Sequence, residues 1–301
     1  MTTTPDTIGF VGLGHMGGTM ARRLLAAGHD VYGTGRTRER AAALVADGLR
    51  WVDTPRAVAE TSDIVITSIP DDEALNAVAS GPDGLLAGLS GGTTWLEMST
   101  VSPPASRELA ARVRLSGAAM MDAPVSGSVP QAQTGTLTIM VGGDDEAYGH
   151  VEPVLRELGT PTHVGTNGQG LVLKLAINIS LAVQMLAFAE GLLLAERGGI
   201  DPGAAAEVMA ASPIGSPMLK ARLPLILDLP DEAWFDIGLM QKDIVLALEA
   251  ARELRVPLPS AAAADEMLTL ARAHGHEHHD LAALFQTLRQ LVGEPLPATR
   301  D

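Results

Sequence analysis

The chain has 301 residues, which is enough for two domains with substantial hydrophobic cores. Its formal net charge of −15 argues against a nucleic-acid partner or an anionic membrane surface. The sequence contains no cysteine, which excludes disulfides and thiolate chemistry and fits a soluble, cytoplasmic protein. The polar residues 1–6 lack the basic region and apolar core of a signal peptide, so we expect no targeting segment there.

From Thr7 to about Gly165, short apolar runs alternate with Ala-rich amphipathic segments. Such alternation predicts an α/β domain with a mostly parallel, doubly wound sheet covered by helices on both faces. The predicted strands are Thr7–Val11, Asp30–Thr34, Asp63–Ser68, Thr94–Glu97, Ala118–Asp122, Leu137–Val141 and Thr162–Val164. Helices are expected between the first of these, at His15–Ala27 and Thr37–Ala46.

The first predicted strand leads into a GxGxxG motif formed by Gly12, Leu13, Gly14, His15, Met16 and Gly17. Glycines at this spacing permit a tight turn and let a pyrophosphate approach the N–H groups at a helix N-terminus. The motif therefore predicts a dinucleotide-binding Rossmann domain, although a glycine turn that binds nothing is the alternative.

The end of the second predicted strand reads Gly35, Arg36, Thr37 and Arg38. An enzyme that uses NAD normally places an acidic residue there to bind the ribose hydroxyls, and this chain has none. Guanidinium and hydroxyl groups instead suit a 2′-phosphate, so we favour NADP(H) as cofactor. Arg36 and Arg38 that are merely solvated at a helix start remain the alternative.

After residue 168 the pattern contains only helices. We therefore expect a Rossmann domain over residues 1–167 and an all-α domain over residues 168–301, joined by a long interdomain helix. The predicted helices are Leu171–Arg197, one starting at Asp201-Pro202, Gly238–Leu254, Ala261–Ala273 and Leu281–Val292. An apolar helical domain with a long shared helix suggests a homodimer or a higher homo-oligomer.

Lys174 is the only charged residue between Leu171 and Ala189, and Asn178 follows it one helical turn later. The surrounding residues are apolar almost all round, which predicts a buried helix. A buried lysine is costly unless it is paired, neutralised or used in chemistry. On spacing alone, a satisfied core lysine and a catalytic lysine are equally compatible. The helix has the length of a membrane span, but its polar residues favour a core helix and no span is predicted.

A run of small residues follows the strand that ends at Asp122 and contains Ser126, Gly127 and Ser128. Such residues can direct several backbone N–H groups to one point, where a substrate carboxylate would bind. A tight interdomain turn is the alternative interpretation.

At these motifs the chain resembles the β-hydroxyacid dehydrogenase family, which includes 3-hydroxyisobutyrate dehydrogenases, tartronate semialdehyde reductases and glyoxylate/succinic semialdehyde reductases. The resemblance extends from about Thr7 to Leu291 through motifs in the same order. They are the Gly12–Gly17 loop, Glu97–Pro103, Asp122–Leu137, Gly170–Asn178 and Lys242-Asp243-Ile244 with Ala247.

The resemblance implies roles for individual residues. Lys174 would be the catalytic proton donor and acceptor, and Asn178 would help to hold the substrate. Ser126, Gly127 and Ser128 would cradle the carboxylate of a small hydroxyacid or carbonyl substrate. The residues implied to contact the cofactor, besides the glycine loop, are Ile69, Pro70, Thr100, Phe235 and Lys242, and Thr100 would also face the substrate.

Two positions depart from the family pattern. Ser128 stands where a second glycine is usual, and Ile177 stands where an asparagine is common. Ser128 can still offer its backbone N–H, so we expect an altered pocket and retained binding.

Two other functions remain as alternatives. Imine reductases have similar folds but usually lack this lysine, so Lys174 favours a carbonyl or hydroxyacid substrate. Some relatives are non-catalytic dinucleotide-binding modules, which the presence of both Lys174 and Asn178 disfavours.

Two further segments are ambiguous. The His-rich stretch His274–Asp280 could suggest a metal site, but a solvated turn in which Asp280 caps the last helix is favoured, so no metal is predicted. Ser212–Lys220 resembles the semialdehyde reductase branch, and Lys220 could bind a second carboxylate or simply be solvated, which we slightly favour.

Overall fold

The computed structural model describes residues 6–293. The chain forms two compact units that divide between Lys174 and Leu175. We call them the α/β unit, up to Lys174, and the helical unit, from Leu175. Residues 1–5 and 294–301 lie outside the described residues. They include most of the polar N-terminus and the end of the predicted all-α domain.

The α/β unit contains a nine-stranded sheet. Its strands are β1 (Ile8–Val11), β2 (Val31–Thr34), β3 (Arg50–Trp51), β4 (Ile64–Thr67), β5 (Thr94–Glu97), β6 (Ala119–Asp122), β7 (Val125–Ser126), β8 (Leu137–Gly142) and β9 (Gly159–Gly165). The order across the sheet is β3-β2-β1-β4-β5-β6-β8-β7, with β9 also paired to β8. All pairs are parallel except β6 with β8 and β7 with β8.

The helices of the α/β unit cover this sheet. They are α1 (His15–Ala26), α2 (Ala42–Ala46), α3 (Pro55–Glu60), α4 (Asp72–Ala79), α5 (Leu85–Gly88), α6 (Pro103–Arg114), α7 (Val129–Thr134) and α8 (Asp145–Leu158). One hydrophobic cluster contains Phe10 and Met20 and another contains Trp95 and Val113, so each face of the sheet has its own core. Because both faces are covered, the strands read as continuous apolar runs.

The long helix α9 (Gln169–Arg197) begins in the α/β unit, and most of it belongs to the helical unit. Its other helices are α10 (Pro202–Ala211), α11 (Pro217–Leu227), α12 (Ile237–Leu254), α13 (Pro259–Ala273) and α14 (Leu284–Val292). A single cluster including Phe188, Leu192, Ile244 and Phe285 forms its core. The fold class expected from the sequence, a Rossmann domain followed by an all-α domain with a long helix, is confirmed.

The predicted strands are all present with small shifts at their ends, whereas β3 and β7 were not predicted. Each of these has two residues, which is too short for a periodic pattern. The helices predicted at Thr37–Ala46 and Leu281–Val292 both begin as 3₁₀ turns, Arg38–Ala41 and Leu281–Ala283. Helix α11 was not predicted, because Pro224 lies inside it and obscures the helical pattern.

The expectation that α9 is buried almost all round was wrong. Phe188 and Leu192 are buried in the helical core, but Leu194 is 76% exposed and Lys174 is only half-buried. Among residues 6–293, α9 is the one helix that is long and apolar enough to cross a membrane. In its most apolar 18-residue stretch, 44% is buried inside the protein. Core helices of soluble proteins meet the same criterion.

Candidate active site

The glycine loop lies at the carboxyl end of β1, where α1 begins. Gly12 has φ of +96°, and a Cβ there would lie 2.2 Å from the carbonyl oxygen of Ser68 in the loop after β4. Gly14 is the N-cap of α1, receives no side-chain cap and faces open space. The first N–H groups of α1 are thus accessible beside a narrow glycine turn, which fits a pyrophosphate.

The other residues of this loop are divided between core and surface. Leu13 and Met16 pack partly against the core, whereas His15 is exposed. A Cβ on Gly17 would lie 2.0 Å from the carbonyl oxygen of Gly12, so only glycine permits this turn.

The two arginines that follow β2 are exposed. Gly35 is partly buried beside the glycine loop, and Arg36, Thr37 and Arg38 are exposed. The Arg38 guanidinium carbon lies 5.9 Å from the centre of the Trp51 ring. This contact with the indole face places one guanidinium close to the end of β2.

Three neighbouring strands end in register with polar side chains. Thr67 of β4 pairs with Glu97 of β5, and Glu97 pairs with Asp122 of β6. All three residues are buried. Because register partners on parallel strands face the same side, a line of polar groups crosses this edge of the sheet. Ile69, exposed Pro70 and half-buried Thr100 lie in the loops that follow β4 and β5.

The Glu97 carboxylate is fully buried, and desolvation raises its pKa to about 7. Hydrogen bonds from Ser99 and Thr67 oppose that rise, and the nearby negative charge of Asp122 adds to it. Glu97 is the first residue of the Glu97–Pro103 motif, but the sequence predicted no role for it.

Asp122 holds the start of the helix that carries Lys174. Its carboxylate accepts hydrogen bonds from the backbone N–H of Gly168 at 2.6 Å and of Leu171 at 2.9 Å. Burial raises the pKa of Asp122, while these N–H groups favour its charged form. A Cβ on Gly170 would lie 2.8 Å from an Asp122 carboxylate oxygen, so glycine permits the close approach. Lys174 follows one turn after this anchored helix start.

The predicted carboxylate cradle has one N–H group already engaged. Ser126 belongs to β7 at the sheet edge, and Gly127 has φ of +129°. The Ser128 N–H donates to the side-chain oxygen Oε1 of Gln131 at 3.0 Å. The Ser128 N–H, which we expected to bind a substrate, is therefore engaged by Gln131 in this structure as part of the cap of α7.

In the helical unit, a buried carboxylate joins two predicted site residues. Asn178 Nδ2 donates to Asp243 Oδ2 at 2.5 Å, and Lys242 Nζ lies 2.8 Å from Asp243 Oδ1. Asp243 thus fixes Asn178 and Lys242 together, a role that the Lys242-Asp243 motif did not reveal from sequence alone.

Phe235 is held by a second buried acid. The Asp280 carboxylate accepts hydrogen bonds from the backbone N–H of Trp234 and of Phe235, both at 3.1 Å, and pairs with Arg222 at 3.3 Å. It also accepts from the N–H of Ala282, which confirms its predicted capping role.

The His-rich stretch is only partly solvated. His276 is 9% exposed, and its Nδ1 lies 3.3 Å from Nδ1 of His279. Burial lowers the pKa of His276. Among residues 6–293 no group of three or more His, Cys, Asp or Glu side chains could hold a metal ion. Lys220 is exposed.

Two family models match consecutive parts of the chain. Residues 7–168 match the NAD binding domain of 6-phosphogluconate dehydrogenase. Residues 168–288 match the domain described as NAD-binding of NADP-dependent 3-hydroxyisobutyrate dehydrogenase.

Individual proteins are similar over nearly the whole chain. A 2-(hydroxymethyl)glutarate dehydrogenase of Eubacterium barkeri is 36% identical over 95% of this chain and 96% of its own length. A 2-hydroxy-3-oxopropionate reductase of Escherichia coli K12 is 35% identical over 96% of this chain and 99% of its own. The solved structure of Mycobacterium tuberculosis 3-hydroxyisobutyrate dehydrogenase with L-serine has 30% identity and a TM-score of 0.83, covering 95% of this chain and 100% of that one.

Proposed function

Because the chain belongs to the β-hydroxyacid dehydrogenase family, we propose that it is an NADP(H)-dependent oxidoreductase interconverting a small β-hydroxyacid and its semialdehyde, or reducing glyoxylate or succinic semialdehyde. The family comprises NAD(P)-dependent enzymes that act on small hydroxyacids, so the reaction class follows from membership. The choice of cofactor, the substrate and the residue roles are our proposal.

The main support for a catalytic Lys174 is the way its helix begins. Asp122 fixes the backbone at Gly168 and Leu171, one turn before the lysine. A catalytic group must be held in a defined position to transfer a proton efficiently. When bound, NADPH supplies the hydride. Lys174, as an ammonium group, hydrogen-bonds the carbonyl oxygen, stabilises the charge that develops there and donates a proton.

Other residues besides Lys174 are proposed to bind or orient the substrate. Ser126, Gly127 and Ser128 hold the carboxylate, with Thr100 beside it, and Asn178 orients the substrate or the lysine. The Asn178 amide is fixed by its hydrogen bond to buried Asp243. Lys242 and Phe235, each positioned by a buried aspartate, are proposed to contact the cofactor.

The preference for NADP(H) is supported by the exposed Arg36, Thr37 and Arg38 and by the absence of an acid directly after β2. The glycine loop and the free N-terminus of α1 fit the pyrophosphate common to both dinucleotides. The 2′-phosphate alone therefore separates the two cofactors, and guanidinium groups suit it.

The test is a steady-state assay of glyoxylate, succinic semialdehyde, 2-hydroxy-3-oxopropionate, 3-hydroxyisobutyrate and one cyclic imine, each with both cofactors. We expect turnover of one of the carboxylate-bearing substrates, with kcat/KM at least about tenfold higher for the phosphorylated cofactor. Turnover of the imine alone would support an imine reductase, and cofactor binding without turnover would support a non-catalytic module.

A further inference from the structure

The buried carboxylate of Glu97 receives two chains of hydrogen bonds. In one, the Trp95 indole N–H donates to Thr67 Oγ1 at 2.8 Å, and the Thr67 hydroxyl donates to Glu97 Oε2. In the other, the Ile69 N–H donates to Ser99 Oγ at 2.8 Å, while the Ser99 N–H donates to Glu97 Oε1 at 2.8 Å.

The two chains lead to different parts of the α/β unit. The first ends inside the core, because Trp95 is fully buried and packs with the cluster that contains Val113. The second ends at Ile69, the first residue of the Ile69-Pro70 segment proposed to contact the dinucleotide. Ser99 is also the chain neighbour of Thr100. Glu97 is therefore linked to Ile69 by the two hydrogen bonds of Ser99, while Thr67, which also bonds Glu97, ends the strand two residues before Ile69.

We propose that Glu97 is a positioning residue for the cofactor, whose ionised carboxylate holds Ser99 and, through it, the Ile69-Pro70 segment in the conformation that binds the dinucleotide. This inference rests on the proposed NADP(H) function. Two donors converge on the carboxylate, the Thr67 hydroxyl at Oε2 and the Ser99 N–H at Oε1. An ionised carboxylate only accepts hydrogen bonds and satisfies both donors, whereas a protonated one carries an O–H of its own that also requires an acceptor.

The charge on Glu97 is maintained without a cation. Within the described residues, its pKa is affected by its own burial, by Ser99 and Thr67, and by the like charge of Asp122, its register partner on β6. Only hydrogen bonds oppose protonation, so acidification through about pH 7 neutralises Glu97. We therefore expect the affinity for the dinucleotide to fall with it.

The experiment measures the dissociation constant of NADPH by its fluorescence from pH 5.5 to 8.5 for four full-length proteins: wild type, Glu97→Gln, Ser99→Ala and Ser106→Ala. The last is a matched control, since Ser106 is fully buried in α6 and its hydroxyl has no hydrogen-bond partner in the part of the chain that the structure describes. We expect Glu97→Gln and Ser99→Ala to weaken binding about tenfold at pH 8. Ser106→Ala should stay within about twofold of wild type.

The pH profile distinguishes positioning from a merely structural role. The ratio of the Glu97→Gln and wild-type dissociation constants should shrink toward one below pH 7, as Glu97 becomes neutral in the wild type. The 2′-phosphate of NADPH titrates near pH 6, but it is common to both measurements and cancels in the ratio. A constant ratio across the pH range would contradict the proposal.

Other outcomes are equally decisive. Wild-type affinity in Glu97→Gln at pH 8, or equal affinities in Ser99→Ala and Ser106→Ala, would overturn the positioning role. If Glu97→Gln fails to fold, the comparison of the two serine variants decides alone. A wild-type protein that binds neither NADPH nor NADH would overturn the proposed function itself, which is a separate result.

Discussion

The α/β unit surrounds its buried acids Glu97 and Asp122 with N–H groups and hydroxyls, whereas the helical unit places a cation beside each of Asp243 and Asp280. In the first unit the acids lie at strand ends, where the donors are N–H groups of the following loops and helix start and a threonine hydroxyl. In the second, helices present Lys242 and Arg222 directly. Burial without a cation raises the pKa of Glu97 and of Asp122.

This difference separates two ways of keeping a charge inside a protein. A buried carboxylate held only by hydrogen bonds, such as Glu97, can have a pKa near neutrality, so its charge responds to pH. A buried carboxylate paired with a cation depends strongly on that partner, because removing it leaves an uncompensated charge. The predictions below begin with Lys174, the last residue of the α/β unit, and then test that contrast.

The largest effect is expected from Lys174→Ala, which removes the proposed proton donor. Loss of a positioned general acid should lower kcat about 10³-fold, and dinucleotide affinity should be retained. Because Lys174 is only half-buried, the melting temperature should change little. Steady-state kinetics and thermal melting measure both effects. Lys220→Ala, an exposed lysine in α11, is the control, and full activity in Lys174→Ala would show that the mechanism is wrong.

The helical unit should be sensitive to loss of one member of a buried ion pair. Asp280→Asn leaves Arg222, whose side chain is 8% exposed, without its counter-charge. We expect a loss of about 3–5 kcal/mol in the free energy of unfolding of this unit, measured in urea. Asp47→Asn breaks the exposed pair with Arg22 and should cost less than about 1 kcal/mol. Equal costs for the two variants would contradict the contrast.

The α/β unit should instead lose stability as pH rises. Glu97 ionises at about 4.5 when unfolded and at about 7 when folded, so the folded state retains a proton between these values. The stabilisation is fully present below pH 4.5 and is lost as pH rises through 7. At about 1.4 kcal/mol per pH unit, the loss reaches roughly 3 kcal/mol. Glu97→Gln should remove this contribution. Parallel pH curves of unfolding for both proteins would refute it.

The smallest effect is expected at Gln131, which occupies the Ser128 N–H. Gln131→Ala frees this donor for a substrate carboxylate, so KM should fall about threefold with kcat unchanged. Gln133→Ala alters an exposed glutamine of the same helix and serves as the control. An increase in KM for Gln131→Ala alone would mean that the helix cap, with Gln131 in place, shapes the binding site.

Elements with a strong local pattern could be predicted from the sequence. The strand before the glycine loop, the helix of Lys174 and the caps at Asp201 and Asp280 are found as expected. Strands β3 and β7 were missed because two residues are too few to show an alternation of apolar and polar side chains. The burial of α9 was overestimated, since a helix that is apolar all round need not be covered all round within one chain.

By itself, the sequence determined the fold class, the glycine loop, the arginines after β2 and the family, because these depend on residue types at short spacings. Only the tertiary structure decided which buried acids have cations. Thr67 and Glu97 are brought together by strand register, and Asn178 and Asp243 by helix packing. Such partners lie 30 and 65 residues apart, and local periodicity, which reports burial along one element, carries no information about them.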